Sequence, residues 1–332
     1  MKAAKYAMSC RVSYRIALML GLLLGLQYTC LNAQEYPTKP VRVVITGAAG
    51  SLADSLARLV FSRISETLGQ QFIVDNRPGA GGVIAVEMAA KAPSDGYTLL
   101  SAVNTSMVVN PYLYSKLGYD PLRDFEPVSM LAQISEVLIV NPSLGVKTLE
   151  EFVRLAKARP GQITYASGGN GHPTHLMMEL FQRKAGIQLV HVPYKGVSPA
   201  MQAIASGEVG ALNIGIGLAR PHISSGKVLA LAKTGLPSKD ALPGVPALTT
   251  FFADAEYIPW IAVFAPKGTS KEVVAKLNAE IGKALALSDI RTRMRNMDLT
   301  PVSGSPGDLD QTVRADLAVN RELVKSIGLK LD

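Results

Sequence analysis

Beyond residue 33 the chain has no cysteine, because Cys10 and Cys30 both fall before that point. Disulfides, cysteine metal sites and a thiol nucleophile are therefore excluded from the bulk of the protein. Aromatic residues are sparse, at 6% with a single tryptophan, and no stretch interleaves them with basic residues. Lysines and arginines are scattered and form no block, so a nucleic-acid footprint is not supported. Fixed-period repeats and low-complexity tracts are missing as well. So are a Gly-x-Ser-x-Gly elbow and the Gly-Lys-Ser/Thr ending of a phosphate loop.

The first 33 residues are read as a targeting segment. Lys2, Lys5, Arg11 and Arg15 come without any acidic residue, an apolar run from Ile16 to Leu26 follows, and the stretch closes on Leu31-Asn32-Ala33. That is the order of a secretory signal. The apolar core is well short of the roughly 20 residues a spanning helix needs. Cleavage after Ala33 would leave Gln34 as the mature start, in a chain that does not insert in the membrane. A lipoprotein at Cys30 is disfavoured by Gln27 and Thr29. An exported protein without cysteine fits a bacterial periplasm, and about 300 remaining residues suffice for two domains. Removing the four leader charges takes the formal +8 to +4, a surplus that suits an anionic ligand.

The rest alternates short β-branched runs with amphipathic segments, the rhythm of an α/β fold. Strands are expected at Val41–Thr46, Phe72–Val74, Tyr97–Ala102, Val137–Val140, Ile163–Ser167, Leu189–Val192, Val209–Asn213, Leu229–Ala232 and Trp260–Ala265. Ala57, Val60, Ile64 and Leu68 recur at helical spacing, and Gly69 stops that helix. Capping boxes at Thr148-x-x-Glu151 and Thr269-x-x-Glu272 open two more helices, and the Leu236–Pro246 segment is loop-like. The pattern suggests two α/β lobes. Lobe 1 is discontinuous, 34–133 plus 257–332; lobe 2 is 134–256. A single crossing would instead give two serial domains.

Three glycine-rich turns join a strand to a helix, where open α/β sheets bind ligands. They are Gly47–Asp54, Arg77–Gly82 and Ala166–His175, the last with Pro173 placed as a first helical residue. Small residues let the backbone approach a guest, and unpaired N–H groups at a helix start attract an anion. A carboxylate there gains about 0.3–1 kcal/mol from the helix dipole. Each hydrogen bond to a charged group adds about 1.5–3 kcal/mol. Three or four such contacts suffice for micromolar binding, about 8 kcal/mol, without a metal or other cofactor.

Longer landmarks accompany these turns: Tyr36–Arg42, Asp75–Gly82, Ser94–Leu100, Tyr119–Phe125, Tyr165–Gly171 and His191–Gly196. In them the chain resembles the substrate-binding receptors of tripartite tricarboxylate transporters, the TctC or Bug family. The resemblance implies a type II periplasmic-binding-protein fold, with two α/β lobes closing on a ligand cleft. It also implies a small carboxylate ligand, a monomeric receptor and membrane permease subunits as partners. Carried across residue by residue, ligand contacts are expected at Gly50, Ser51, Leu52 and Asp54, at Ser167, Gly168, Asn170, Thr174 and His175, at Ala80, and at Asn104 and Thr105. The family's usual Pro-Pro-Gly-Gly-Gly-Thr-Asp loop is here Ala48-Ala49-Gly50-Ser51-Leu52-Ala53-Asp54. Many members carry an aspartate where this chain has Ile214. Both departures lean towards an acid with an apolar body, aromatic or dicarboxylic, over an amino acid.

Other readings are weaker. Asp54 is a helix cap as readily as a ligand contact. His172 and His175 are three apart, but their loop holds no cysteine or carboxylate to complete a metal set. His191 and His222 read as structural, Trp260 as hinge packing, Met177-Met178 as core, and Lys195 as ligand-facing or solvated. A hydrolase on the same fold would need Ser167 and His175 as a nucleophile pair. A receptor that signals to a membrane sensor is not separable from one that feeds a permease.

Overall fold

Strand and helix alternate from the start of the structure, a computed structural model describing residues 36–234, 241–253, 257–328 and 330–331. The expected leader, its cleavage site and residues 236–240 of the Leu236–Pro246 loop lie outside the described residues. The first sheet begins with β1 (Val41–Ile45), β2 (Phe72–Asn76), β3 (Thr98–Val103) and β4 (Phe125–Ile134). A second sheet follows: β5 (Glu136–Val140), β6 (Thr164–Ser167), β7 (Val190–Pro193), β8 (Ala211–Gly215) and β9 (Leu229–Thr234). The chain then returns to the first sheet with β10 (Trp260–Pro266) and β11 (Leu299–Pro301). Strand orders are β11-β4-β10-β3-β1-β2 and β7-β6-β8-β5-β9.

Helices fill the connections. In the first sheet they are α1 (Leu52–Leu68), α2 (Val83–Ala90), and the short α3 (Asn104–Val108) and α4 (Asn110–Leu113). In the second they are α5 (Leu149–Ala158), α6 (Pro173–Ala185), α7 (Val197–Ser206) and α8 (Ile216–Ser224). The carboxyl-terminal set is α9 (Lys271–Ala286), α10 (Ser288–Asn296) and α11 (Pro306–Ile327). α1 forms because Ala57, Val60 and Ile64 share a buried stripe, Ser51 caps its start, and Gly69 ends it at φ 65°.

Strand direction decides where a site can form. β1 is parallel to β2 and β3, and β6 is parallel to β7 and β8, so each set ends on one edge of its sheet. β4 also ends on the first edge, since it is antiparallel to β10, itself antiparallel to β3. β5 is antiparallel to β8 and so starts on the second edge. Only Ser135 separates Ile134 from Glu136, and the two edges are therefore adjacent. Hydrogen bonds fasten this crossing: Ile134 N–H to Pro259 carbonyl (2.8 Å) and Ile216 N–H to Ser135 carbonyl (3.1 Å). Arg220 of α8 also pairs with Asp298, just before β11. α11 packs on β4, α3 and α4 and touches α6.

Several local expectations shift. The second helix with an expected capping box is capped by Ser270, whose oxygen accepts the Val273 N–H, while the Thr269 hydroxyl donates to the Pro266 carbonyl. At Thr148 half the box forms: its oxygen accepts the Glu151 N–H, but Glu151 reaches the Lys147 amide. β2 extends through Asp75 and Asn76, beyond the expected end at Val74; Arg42 and Arg77 pin Asp75 there. β4, a ten-residue strand, is an addition to the expected strands.

Trp260 is fully buried, and its indole N–H donates to Asp316 Oδ2 of α11 at 2.7 Å. Trp260→Phe leaves that half-buried carboxyl without its donor, and should cost about 1–3 kcal/mol of unfolding free energy in a urea titration. An unchanged midpoint would remove this bond from the account.

Candidate functional site

The first strand-end loop is held by its own side chains. Ser51 Oγ accepts the Asp54 N–H at 3.3 Å. The Asp54 carboxylate accepts the Gly50 N–H (2.9 Å) and the Arg58 Nε–H (2.9 Å). Burial works to raise Asp54, but Arg58, the Gly50 amide and Asn76 outweigh it and hold the carboxyl below its ordinary value. Ser51, not Asp54, is thus the cap. Asp54 is 4% exposed and engaged on both oxygens, which leaves it no free face for a ligand. The amides of Leu52 and Ala53, in the first turn of α1, have no intrahelical acceptor.

The loop before α6 is also self-bonded. Gly168 N–H donates to Thr174 Oγ1 (2.9 Å), Gly169 N–H to Ser167 Oγ (3.1 Å) and Gly171 N–H to His175 Nδ1 (3.1 Å). His172 caps α6, its Nδ1 accepting the Thr174 N–H at 3.3 Å. The amides of Gly50 and Gly168, expected to meet a ligand, are therefore already occupied. A side chain at Gly171 would strike Leu113 of α4, so the two sheets' connections lie against each other here. In the second turn Ala80 is exposed, and Asn110 donates to the Gly81 carbonyl at 3.1 Å. Thr105 is half-buried and Asn170 exposed. Ile214 lies fully buried among Val137, Leu212 and Ile216, inside the second lobe's core.

Ser167 is fully buried, and its Oγ lies 2.6 Å from His191 Nε2, not from His175. His175 stacks on His191 with ring centroids 3.9 Å apart, and Tyr165 stacks on His191 at 4.8 Å. Glu179 Oε1 lies 3.8 Å from His175 Nε2. Among the described residues, no group of three or more His, Cys, Asp or Glu could hold a metal. Burial lowers His172, His175 and His191 to about 4, with His172 adding to the effect on His175, and His175 to that on His191.

Sequence reasoning missed the most polar part of this edge. Paired strand residues share a sheet face, and alternate residues return to it. Tyr165 pairs with Ala211, Leu138 with Asn213, and Glu136 with both Gly215 and Thr234. Ser167, Asn213, Glu136 and Thr234 therefore stand in one row, each at most 4% exposed. Asn213 Nδ2 donates to Glu136 Oε2. Burial pushes Glu136 up to about 8, against the pull of the Asn213 bond. From the first sheet, Asn104 Nδ2 donates to the buried Tyr257 hydroxyl at 3.2 Å. Asn104 Oδ1, Asn213 Oδ1 and Thr234 Oγ1 have no partner among the described residues. Such a group costs about 1–3 kcal/mol when left unmet, so three on the two adjacent edges need an explanation. The available signal was an acid and an asparagine within otherwise apolar strands.

An open groove of about 1010 Å³ lies elsewhere, between α1, β2 and α10. Two of its arginines are committed, Arg58 to Asp54 and Arg63 to Glu66.

Two α/β lobes with their strand-end loops facing one another define the fold class of the periplasmic binding proteins. R. palustris yields a similar structure solved with adipate: 32% identity, TM-score 0.79, covering 89% of this chain and 99% of that one. MatC from Rhodopseudomonas palustris, with bound malate, is 30% identical at TM-score 0.74, covering 87% and 100%. The protein BugT of Bordetella pertussis is 33% identical over 303 residues, 91% of this chain and 93% of that one. Residues 56–329 match the tripartite tricarboxylate transporter family receptor, and the chain belongs to that family.

The buried histidines set a pH dependence. With folded values near 4, they bind fewer protons than the unfolded chain between about pH 4 and 6.5. Stability is full above 6.5 and falls as pH drops toward 4. Glu136 opposes this: raised to about 8, it contributes fully below its ordinary 4.5 and loses that contribution as pH rises through 8. Three histidines outweigh one acid between pH 6.5 and 5. The urea midpoint of the unliganded protein should be lower at pH 5 than at pH 7, and His191→Asn should shrink the difference. An unshrunken slope would mean that this ring is not held neutral.

Proposed function

We propose that this protein is a periplasmic receptor that binds a small carboxylate between its lobes and delivers it to the membrane subunits of a tripartite tricarboxylate-type transporter. The observation that carries the reading is the full-length likeness to two proteins solved with the dicarboxylates adipate and malate. The first 33 residues serve as the export signal, and the mature chain acts as a monomer without a cofactor. Its domains follow the crossing at Ser135: 34–133 with 257–332, and 134–256.

The carboxylate is placed against the first turn of α1, where the Leu52 and Ala53 amides and the helix dipole favour an anion. Thr105 and Asn170 are the accessible polar partners on either side. Gly50, Ser51, Gly168, Thr174 and His175 act by holding the loops in shape. Leu52, half-buried beside the cap, lends the site an apolar wall. Catalysis is not part of this reading. The Ser167 hydroxyl is engaged by the Gly169 carbonyl at 3.1 Å, and the nearby His191, lowered to about 4, is a poor base at neutral pH.

Thermal-shift measurements with mono-, di- and aromatic carboxylates should give at least one ligand whose stabilisation grows with concentration. At about 100 times Kd it should reach roughly 2.7 kcal/mol. A panel without a single hit would contradict the assignment. Gly168→Val tests the second loop, because a Cβ there comes within 2.9 Å of the His172 ring that caps α6. Affinity for the ligand found should drop at least tenfold in titration calorimetry, and an unchanged Kd would remove the loop from the site.

A further inference from the structure

The buried row at the second sheet's edge is unexplained by carboxylate binding alone, because the free Asn213 Oδ1 can only accept a hydrogen bond and a carboxylate has none to give. We propose that Glu136, with Asn213 Oδ1 and Thr234 Oγ1, recognises a hydroxyl group on the bound acid, so that the receptor prefers a hydroxycarboxylate to its deoxy and amino counterparts. This rests on the carboxylate reading above and adds the chemistry of the ligand's second recognition point.

The geometry argues as follows. Glu136 opens β5 on the edge where the lobes meet, one rung from Thr234 and diagonal to Asn213 on the same face. Asn213 turns its amide nitrogen to the Glu136 carboxyl, which leaves its carbonyl oxygen buried and unpartnered. Thr234 presents a buried hydroxyl oxygen, also unpartnered among the described residues. From the first sheet, Asn104 bonds the buried Tyr257 hydroxyl and leaves its own carbonyl oxygen unpartnered among the described residues.

Chemical class follows from the count of protons and lone pairs. Burial favours the neutral acid form of Glu136 at neutral pH, and in that form it has one proton to give. Asn213 Oδ1 has a lone pair to receive one. A hydroxyl accepts the first and donates to the second. An ammonium group would require the carboxyl to ionise against its burial, and a methylene would leave both partners unmet. A site built to bond a hydroxyl rejects the analogue without it much more strongly than an apolar pocket rejects a methylene change.

Matched triplets test this, each differing only in hydrogen, hydroxyl or ammonium at one carbon. They are succinate, malate and aspartate; adipate, 2-hydroxyadipate and 2-aminoadipate; and phenylacetate, mandelate and phenylglycine. Calorimetry on the wild-type protein should show, in the triplet that binds, a hydroxy acid at least tenfold tighter than the other two. Glu136→Ala should bring the ratio of hydroxy to deoxy affinity close to one, whereas Glu136→Gln, which keeps a buried donor, should retain the preference. If melting curves show that Glu136→Ala does not fold, Asn213→Ala reads the same ratio through the acceptor. Equal affinities in the wild type, an amino acid preferred, or a ratio untouched by these variants would overturn the inference while the carboxylate reading stands. Failure of all nine compounds would overturn both.

Discussion

A single residue, Ser135, carries the chain from one sheet to the other, and most of what this protein can do depends on that short crossing. Had a long linker joined β4 to β5, the two strand-end edges would not be constrained to meet. Instead the crossing is pinned by backbone bonds to Pro259 on the returning strand and from Ile216 at the start of α8. Both edges carry loops that lead into helices, so the amide ends of those helices and the polar strand ends are brought to one place.

That place is prepared in two different ways. The loops are stiffened by their own side chains, as Asp54 holds the Gly50 amide and Thr174 holds that of Gly168. The sheet edge behind them is polar, buried and only partly satisfied. Unmet buried acceptors reduce stability, and the large apolar core that surrounds the edge offsets this. In the proposed reading, stability is given up where a guest is to be recognised, and rigid loops limit the ordering cost when it arrives.

The alternation of β-branched runs with amphipathic segments made the α/β class and most strands legible, because burial on both faces leaves continuous apolar runs such as Val137–Val140. The three glycine turns were also legible as strand-to-helix junctions. Less was visible of what those turns do. Sequence suggested that Gly50 and Gly168 offer their amides outward, but side chains four and six residues away claim them first. β4 was hidden because Pro127 and mixed polarity break the strand pattern, and α8 because it follows β8 with no intervening turn. Glu136 and Asn213 face each other only through the antiparallel register of β5 on β8, a contact 77 residues apart in sequence.

The central claim is that one guest is held by the facing edges of both lobes. Amide hydrogen exchange with and without a saturating carboxylate, chosen by its thermal stabilisation of this protein, tests it most directly. The account predicts that exchange slows together in residues 47–53 and in residues 167–175, on the two sides of the crossing. Protection confined to one lobe, or centred on the groove between α1 and α10, would contradict it.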